Sequence, residues 1–433
     1  MSRRHQPHAA SHSKADNAPA GVMSTRTGLM AACCAALLAS LLSACAPLAR
    51  RSAPPTVPLH TEAQAGSMVI ASPDGRRVRL RGVNWFGFES GAFVAGGLDR
   101  QPLARIAALI RAGGFNSVRL PWCNEMLRAA TVDADYLRAN APLVGKTPLQ
   151  VFDAVVDALS AAGLMVILDN HRTRGDWCCD AEHGDGLWYD HEHSEAQWLQ
   201  DWSFMARRYA GNAQVVGAEL RNEIRADQPL GLSPSWGDGV PATDWQRAAE
   251  RAAAVVAAAN PALLIIVGGV DYQTDLSAFA ARPPRIRARD KLVYAVHDYT
   301  WDRAPAELAD AQAFGRRSFE RFAFLRAAGH AYSAPVYVSE WGSCLQVDSA
   351  GKPCAADRVA FAQAFARYAS ASALDFAYWP LNGDQLPGYQ RKRGEVESYG
   401  LLRPDWSGYA QPEFVARLND GGEAAAVSAP AVP

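Results

Sequence analysis

The 433-residue sequence lacks an excess of charge of either sign, with 43 basic and 44 acidic residues and a formal net charge of −1. A protein that holds nucleic acid needs a basic surface, so this balance argues against a nucleic-acid partner and favours a neutral one. No internal repeat, second folded domain or paired C-x-x-C spacing is evident, and the last of these makes a cysteine zinc site a weak interpretation. The length suits one large α/β domain.

A long membrane-spanning run is also missing, although a shorter apolar run lies near the N-terminus. From Met23, an alternative start, one basic residue precedes small and apolar residues from Gly28 to Leu42. This run is too short for a confident transmembrane helix and is typical of an export signal. The sequence Leu-Ser-Ala-Cys that ends at Cys45 resembles a bacterial lipobox, which predicts lipidation of Cys45 and attachment to the outer membrane or cell surface. An ordinary secretory signal, and thus a secreted protein, is the alternative.

These features divide the chain into four parts. We expect the export signal over 1–45, a proline-containing tether over 46–66, one folded domain over 67–418 and a disordered small-residue tail over 419–433. Five cysteines remain after the signal and Cys45 are set aside. Of these, Cys344 and Cys354 are close enough in sequence to close a small loop, and Cys123 would pair with Cys178 or Cys179.

Eight short apolar runs alternate with alanine-rich amphipathic segments, a pattern that predicts a closed (β/α)8 TIM barrel. Before them, the sequence on both sides of Asp74-Gly75 alternates as in a β-hairpin, which we expect to cap one end of the domain. The predicted strands are Leu80–Trp85, Ser117–Pro121, Met165–Asn170, Val215–Asn222, Leu263–Gly269, Leu292–His297, Val336–Glu340 and Asp375–Trp379.

Most of these runs finish in a polar or aromatic residue that a buried strand would not select. A barrel gathers the carboxyl ends of all its strands on one face, so these residues should meet at one rim. Two are glutamates: Glu223 follows the fourth run and Glu340 ends the seventh. Hydrolysis of a glycosidic bond requires two carboxyl groups, and these two should face each other across the rim. The others are Arg119, His171, Asn222, His297 and Trp379.

The ordered set of motifs resembles glycoside hydrolase family 5, the family of many bacterial cellulases. Asn222-Glu223 matches the family's acid/base motif, Ser339-Glu340-Trp341-Gly342 is similar to its nucleophile motif, and Leu80–Trp85 resembles its first strand. The resemblance extends over roughly residues 66–415 and implies a TIM barrel without a cofactor or metal. The rim residues that fall where the family keeps its own are Arg119, His171, His297, Tyr299 and Trp379.

The type of each rim residue indicates a physical role. Glu340 would be the nucleophile and Glu223 the acid/base, with carboxyl groups about 5–5.5 Å apart as in a retaining enzyme. Arg119 would keep Glu340 ionised, and His297 and Tyr299 would orient the same carboxylate or the sugar. Asn222 would bind a sugar 2-hydroxyl, and His171 would bind the same ring.

Trp379 offers a flat apolar face on which a pyranose ring can stack, and we expect Trp85, Trp188 and Trp301, with Trp177 and Trp236, to extend this platform. The alternative for most of these tryptophans is simple packing in the barrel. Glu219 shares a strand face with Glu223, and we interpret it as a buried structural partner of Arg119 or Arg221 rather than a third catalytic acid. The segment His183–His193 holds three histidines and three acids, and we predict a substrate-binding loop there rather than a metal site.

The sequence therefore predicts a monomeric, retaining endo-β-1,4-glucanase that acts on cellulose-like polysaccharide. Two alternatives remain open. The same fold and mechanism would serve on mannan, xylan or mixed-linkage glucan, and a barrel without turnover would serve as a surface glycan-binding lipoprotein.

Overall fold

The computed structural model describes residues 58–177, 179, 182–345 and 347–419. The predicted export signal, the lipid-attachment residue Cys45 and the tail beyond 419 lie outside the described residues. Within the described part of the chain, no helix has the length and apolarity that crossing a membrane requires.

The first two strands, β1 (His60–Gln64) and β2 (Ser67–Ala71), pair antiparallel as a hairpin. They turn at Ala65-Gly66, whose φ angles of 47° and 79° suit a two-residue hairpin turn. A hairpin is present as predicted, but it lies one turn earlier in the chain than the sequence indicates. The chain does reverse at Asp74-Gly75, where it forms only an isolated bridge. His60–Gln64 thus belongs to the hairpin and not to the expected 46–66 tether.

Eight parallel strands close into a barrel in the order β10-β3-β4-β5-β6-β7-β8-β9, which confirms the predicted (β/α)8 fold. Four helices begin at a side-chain cap, with Thr147, Ser194, Asp244 and Asp310 each accepting a backbone N–H of the first turn. The strands are β3 (Arg81–Asn84), β4 (Ser117–Cys123), β5 (Met165–Arg172), β6 (Val215–Glu219), β7 (Leu264–Gly268), β8 (Leu292–His297), β9 (Val336–Trp341) and β10 (Asp375–Tyr378). The helices are α1 (Leu103–Ala112), α2 (Pro148–Ala161), α3 (Glu195–Arg208), α4 (Trp245–Ala259), α5 (Ala278–Ala281), α6 (Pro305–Ala309), α7 (Ala311–Arg321), α8 (Ala356–Ala371) and α9 (Pro412–Asn419).

Alternation along the strands separates an inner core from an outer one. In β5, Met165 and Ile167 join the small cluster inside the barrel, whereas Val166 and Leu168 join the larger cluster beneath the helices. Ile70 of the hairpin belongs to the inner cluster, so the hairpin covers the amino-terminal end of the barrel. The carboxyl-terminal end of the barrel is not covered by the hairpin. The polar residues that follow the apolar runs lie there and form the candidate site.

Candidate active site

The period of two along the strands delivers the site residues to the carboxyl-terminal rim. Beyond the apolar inner residues of β5, the same face carries Asp169 and then His171. In β9 the register shifts so that Ser339 and Glu340 together lie opposite one step of β8. Such a bulge redirects side chains, and it brings Glu340 to the site although Ser339 also bonds to groups inside the barrel.

Arg119, at the middle of β4, is the central cation of the site and is fully buried. Its Nε and Nη2 atoms donate to both carboxylate oxygens of Glu219 at 2.8 and 3.0 Å, and its Nη1 donates to Oε1 of Glu340 at 2.7 Å. Burial alone would lower the pKa of Arg119, but the carboxylates of Asp169, Glu219 and Glu340 outweigh it and raise the pKa. The guanidinium is therefore a permanent charge, and Glu219 is its buried partner, as predicted.

Glu340 is held at both carboxylate oxygens. Arg119 binds Oε1, and the Tyr299 hydroxyl donates to Oε2 at 2.9 Å. Burial, followed by the charge of Glu340, raises the pKa of Tyr299, so this hydroxyl stays a donor. These contacts agree with the predictions that the cation of Arg119 lies beside Glu340 and that Tyr299 hydrogen-bonds to its carboxylate. A carboxylate held in this way is fixed in rotamer beside a permanent cation, an arrangement that suits a nucleophile.

Glu223 lies four residues beyond the end of β6 and has a positive φ of 43°, a left-handed conformation that is unfavourable for a glutamate. The Nδ1 atom of His297 lies 2.7 Å from Oε1 of Glu223 and 3.6 Å from Oε2 of Glu340. The hydrogen bond of His297 therefore goes to Glu223 rather than to Glu340, and its expected contact with the sugar stays a prediction. The reason is the register of β8, which ends with His297 facing the loop after β6.

Glu223 and His297 shift each other's pKa in opposite directions. Burial raises the pKa of Glu223, but the hydrogen bond and the charge of His297 outweigh it and lower the pKa. Burial lowers the pKa of His297, and the charges of Glu340 and Glu223 outweigh it and raise the pKa. These opposite shifts favour a protonated His297 that donates from Nδ1 to an ionised Glu223.

The two glutamates are close enough for a retaining mechanism. A carboxylate oxygen of Glu223 lies within 4.8 Å of one of Glu340, which fits the predicted carboxyl separation of about 5–5.5 Å rather than the longer separation of inverting enzymes. With a ring nitrogen of His297, these oxygens form the one group of side chains among the described residues that could hold a metal ion. Arg119, Tyr299 and His297 already bond to the carboxylates, and a fixed cation beside Glu340 opposes a second one.

His171 and Asn222 occupy the wall beside the glutamates, as the sequence indicates. Burial lowers the pKa of His171 to about 3, so its ring is neutral, and its Nδ1 lies 2.6 Å from Oδ2 of Asp169. Asn222 accepts a hydrogen bond from Arg119 at 2.8 Å, and its Nδ2 lies 3.3 Å from Nε2 of His171. The amide and the imidazole are thus oriented before any sugar arrives.

These residues line a cavity of about 750 Å³. Trp379 lies in its wall and stacks against His171, with ring centroids 5.5 Å apart. Trp301 also lines the cavity and is 67% exposed, with one face stacked on Tyr299. Trp177 is the third tryptophan of the wall, and Arg391 lies 3.6 Å from the centre of its ring.

Three tryptophans predicted as substrate platforms, Trp85, Trp188 and Trp236, are placed elsewhere. Trp85 is fully buried and donates to the backbone oxygen of Gly96, and Trp188 is buried against Trp245. Trp236 stacks on Phe279 outside the cavity. Each of these rings packs against the outer side of the barrel or its loops, the alternative that the sequence left open.

The loop His183–His193 is also corrected, because none of its residues lines the cavity. Its Asp185 is buried, receives the backbone N–H of Thr173 and pairs with Arg172 and Arg221. Burial alone would raise the pKa of Asp185, but the charges of Arg221 and Arg172 outweigh it and lower the pKa to about 2. The loop therefore braces the rim.

Of the two predicted cysteine pairings, one is confirmed and one is wrong. Cys344 and Cys354 form a disulfide, as predicted. Cys123 is a free, buried thiol, so its predicted pairing with Cys178 or Cys179 is wrong. Its thiol donates a hydrogen bond to the backbone oxygen of Phe88 at 3.3 Å.

Gln273 and Glu89 are buried residues of the site that were not anticipated from sequence. Gln273 accepts the backbone N–H of Glu223 at 2.6 Å, and Glu89 lines the cavity with a pKa that burial raises to about 7. Gln273 lies beyond β7, five residues past Gly268, in a segment without apolar periodicity. Glu89 follows an aromatic run after β3 that reads as core. The sequence signal that could have identified such residues is a polar residue immediately after an apolar run. Glu89 shows this pattern, whereas Gln273 does not.

Comparison with known families places the chain among glycan-degrading enzymes. Residues 73–385 match the family described as Cellulase (glycosyl hydrolase family 5). A glycosyl hydrolase 5 family protein of Chamaecyparis obtusa is 30% identical over 84% of this chain, and an endoglucanase of Paenibacillus polymyxa is 29% identical over 79%. The major extracellular endoglucanase of Xanthomonas campestris is 39% identical over 54% of the chain. The matches span 66%, 83% and 48% of these three relatives, respectively.

Solved structures give the same result. The catalytic domain of the major endoglucanase from Xanthomonas campestris has a TM-score of 0.65 and 29% identity, over 83% of this chain and 99% of that one. A complex of the endocellulase from Pyrococcus horikoshii with cellotetraose has a TM-score of 0.68 and 25% identity, over 85% of this chain and 99% of that one.

Proposed function

The chain belongs to the cellulase family, glycosyl hydrolase family 5, and from this premise we propose that it is a retaining endo-β-1,4-glucanase acting on cellulose-like β-glucan. The observation that carries the proposal is the approach of the two glutamates to within 4.8 Å beside a permanent cation. The relatives named endoglucanase, and the endocellulase complex with cellotetraose, support the choice of substrate.

In the first step, a carboxylate oxygen of Glu340 attacks the anomeric carbon of the glycone sugar. The bond from that carbon to the bridging oxygen breaks, and the bridging oxygen takes the proton that Glu223 shares with His297. A glycosyl ester on Glu340 results, and its formation neutralises the nucleophile's charge beside Arg119.

In the second step, a water molecule attacks the anomeric carbon and gives its proton to Glu223. The ester bond breaks, Glu340 regains its charge, and the sugar leaves with its original anomeric configuration. His297 and Glu223 again hold one proton between them. Asn222 would bind the 2-hydroxyl of the glycone, and Trp379 would stack on the same ring next to His171.

The test of this proposal combines product analysis with one substitution. NMR of fresh products from cellopentaose should show the β anomer first; the α anomer would exclude a nucleophilic role for Glu340. Glu340→Gln should fold as the wild type does by circular dichroism and should release no sugar, because the neutral amide cannot attack. Substantial turnover by this variant would overturn the assignment.

The choice of polymer is tested by a panel of carboxymethylcellulose, mannan, xylan and mixed-linkage glucan. Fastest hydrolysis of carboxymethylcellulose, with falling viscosity, supports an endo-glucanase. Preference for another polymer would retain the mechanism and change the substrate. Binding of all four without product release would favour the alternative of a non-catalytic glycan-binding protein.

We also propose that the protein is exported and attached to the membrane through a lipid on Cys45, and that it acts as a monomer. The Leu-Ser-Ala-Cys sequence supports the lipidation. Cys45→Ala should release the protein from the membrane fraction to the medium or periplasm. Sedimentation of the released protein should give the mass of one chain.

A further inference from the structure

Residues Asp271, Tyr272 and Gln273, which follow β7, form the most unusual backbone segment near the site. All three have positive φ angles, of 53°, 59° and 59°. Left-handed conformations cost roughly 1–2 kcal/mol for each non-glycine residue, so a run of three persists only where surrounding contacts hold it.

The contacts that hold this segment converge on the side chain of Gln273, which is fully buried. Its Oε1 accepts the backbone N–H of Glu223 at 2.6 Å, and its Nε2 donates to Oε1 of Glu219 at 3.2 Å. Its backbone oxygen accepts the N–H of His297 at 3.0 Å. One residue thus contacts the backbones of both members of the Glu223 and His297 pair.

The chain also provides space for this side chain. A Cβ atom added to Gly268, the last residue of β7, would lie 2.4 Å from Cδ and Nε2 of Gln273. Real Cβ atoms do not approach other atoms so closely, so the amide lies where only a glycine leaves room. The left-handed segment folds Gln273 back over the end of its own strand.

From this geometry we propose that Gln273 is the positioning residue of the general acid/base, and this proposal rests on the acid/base role of Glu223. Gln273 holds the backbone of Glu223 in its left-handed conformation. It also fixes the position of the His297 backbone relative to Glu223. Through Glu219 it also ties the pair to Arg119, which binds Glu340. Gln273 does not line the cavity and touches no reacting atom.

The test compares substrates that do and do not need a proton on the leaving group. Cellotetraose requires general acid catalysis, whereas 2,4-dinitrophenyl cellobioside releases a stable phenolate without it. Gln273→Ala should lower kcat/KM on cellotetraose by about 10- to 100-fold, the scale of a misplaced catalytic group. On the dinitrophenyl substrate kcat/KM should change by less than about twofold, and azide should accelerate turnover by replacing base-activated water.

A conservative variant and an independent one sharpen the result. Gln273→Glu retains the acceptor for the Glu223 N–H, and should recover activity on cellotetraose at acidic pH, where its carboxyl donates to Glu219. Gly268→Ala should displace Gln273 and give the same dependence on leaving group. If Gln273→Ala does not fold, Gly268→Ala alone tests the role of Gln273.

Asn140→Ala is the matched control. Its buried amide bonds to the backbones of Leu98, Gln101 and Leu103 outside the cavity. Its loss should lower stability and change both substrates equally. Equal losses on both substrates in Gln273→Ala, or in Gly268→Ala, would overturn the proposal. If Glu223→Ala also showed no dependence on leaving group, the proposed function itself would fail; a dependence in Glu223→Ala alone would reject only the role of Gln273.

Discussion

The Nη1 atom of Arg119 lies 2.7 Å from Oε1 of Glu340, while the opposite edge of the same guanidinium binds both carboxylate oxygens of Glu219. The orientation of Glu340 therefore depends on a buried carboxylate of another strand that does not line the cavity. Activity and stability are coupled at this ion pair, and the coupling can be measured.

Arg119→Lys should damage both properties. A lysine cannot bind Glu219 at two points and Glu340 at a third, so kcat on cellopentaose should fall about 10²-fold. Leaving buried carboxylates without their partner should lower the free energy of unfolding by about 3–5 kcal/mol. Urea unfolding and initial rates would measure the two effects.

Arg128→Lys is the control for this substitution. Arg128 pairs with Asp201, its side chain is 44% exposed, and it does not line the cavity. Its replacement should cost less than about 1 kcal/mol and leave kcat unchanged. Wild-type kcat in Arg119→Lys would show that Glu340 does not depend on the guanidinium.

Trp301 should bind a sugar of long substrates. One face of its ring stacks on Tyr299 with centroids 4.5 Å apart, and the ring is 67% exposed, which leaves the other face open to a pyranose. Trp301→Ala should raise KM for cellohexaose about fivefold, the equivalent of about 1 kcal/mol of stacking, with little change in kcat. Phe319→Ala removes an exposed aromatic outside the cavity and should change neither constant. An unchanged KM in Trp301→Ala would remove Trp301 from the binding surface.

Glu89 should make stability depend on pH. Burial raises the pKa of Glu89 from 4.5 to about 7. A carboxyl group whose pKa is higher in the folded than in the unfolded protein stabilises the folded state fully below pH 4.5. This contribution, about 3 kcal/mol, is lost as the pH rises to about 7. Glu89→Gln keeps an acceptor for the Gly87 N–H and removes the ionisation. Its stability relative to wild type should therefore rise by about 3 kcal/mol between pH 4 and pH 8.

Urea unfolding across this range would measure that difference. Glu192→Gln, at an exposed position, should follow the wild type at every pH. Parallel curves for wild type and Glu89→Gln would show that Glu89 has no raised pKa.

The disulfide between Cys344 and Cys354 should stabilise the loop after β9. It joins residues ten apart in sequence, and closing a loop of this size restricts the unfolded chain by about 2–3 kcal/mol. The double substitution Cys344→Ala with Cys354→Ala should lose that amount in urea unfolding without reductant. Equal stability of the double variant and the wild type would contradict the expectation.

Much of the barrel could be predicted because each buried parallel strand is a nearly continuous apolar run with polar residues at its end. Val336–Glu340 and Leu292–His297 were located in this way, and with them Glu340 and His297. The tryptophans could not be sorted in this way. Trp85 and Trp301 have equal apolar character in sequence, and only the direction each ring takes from its own loop decides that one is core and the other is cavity wall.

The sequence alone determined which polar residues follow the apolar runs and which two carboxylates face the rim, because the pattern of apolar and polar residues is a local property that survives in any correct fold. Only the tertiary structure decided that His297 bonds to Glu223 instead of Glu340 and that Gln273 supports both members of that pair. These contacts join residues 50 and 74 positions apart, and the register of neighbouring strands, together with the left-handed backbone at Glu223, sets their distances. No pattern within a single segment carries that information.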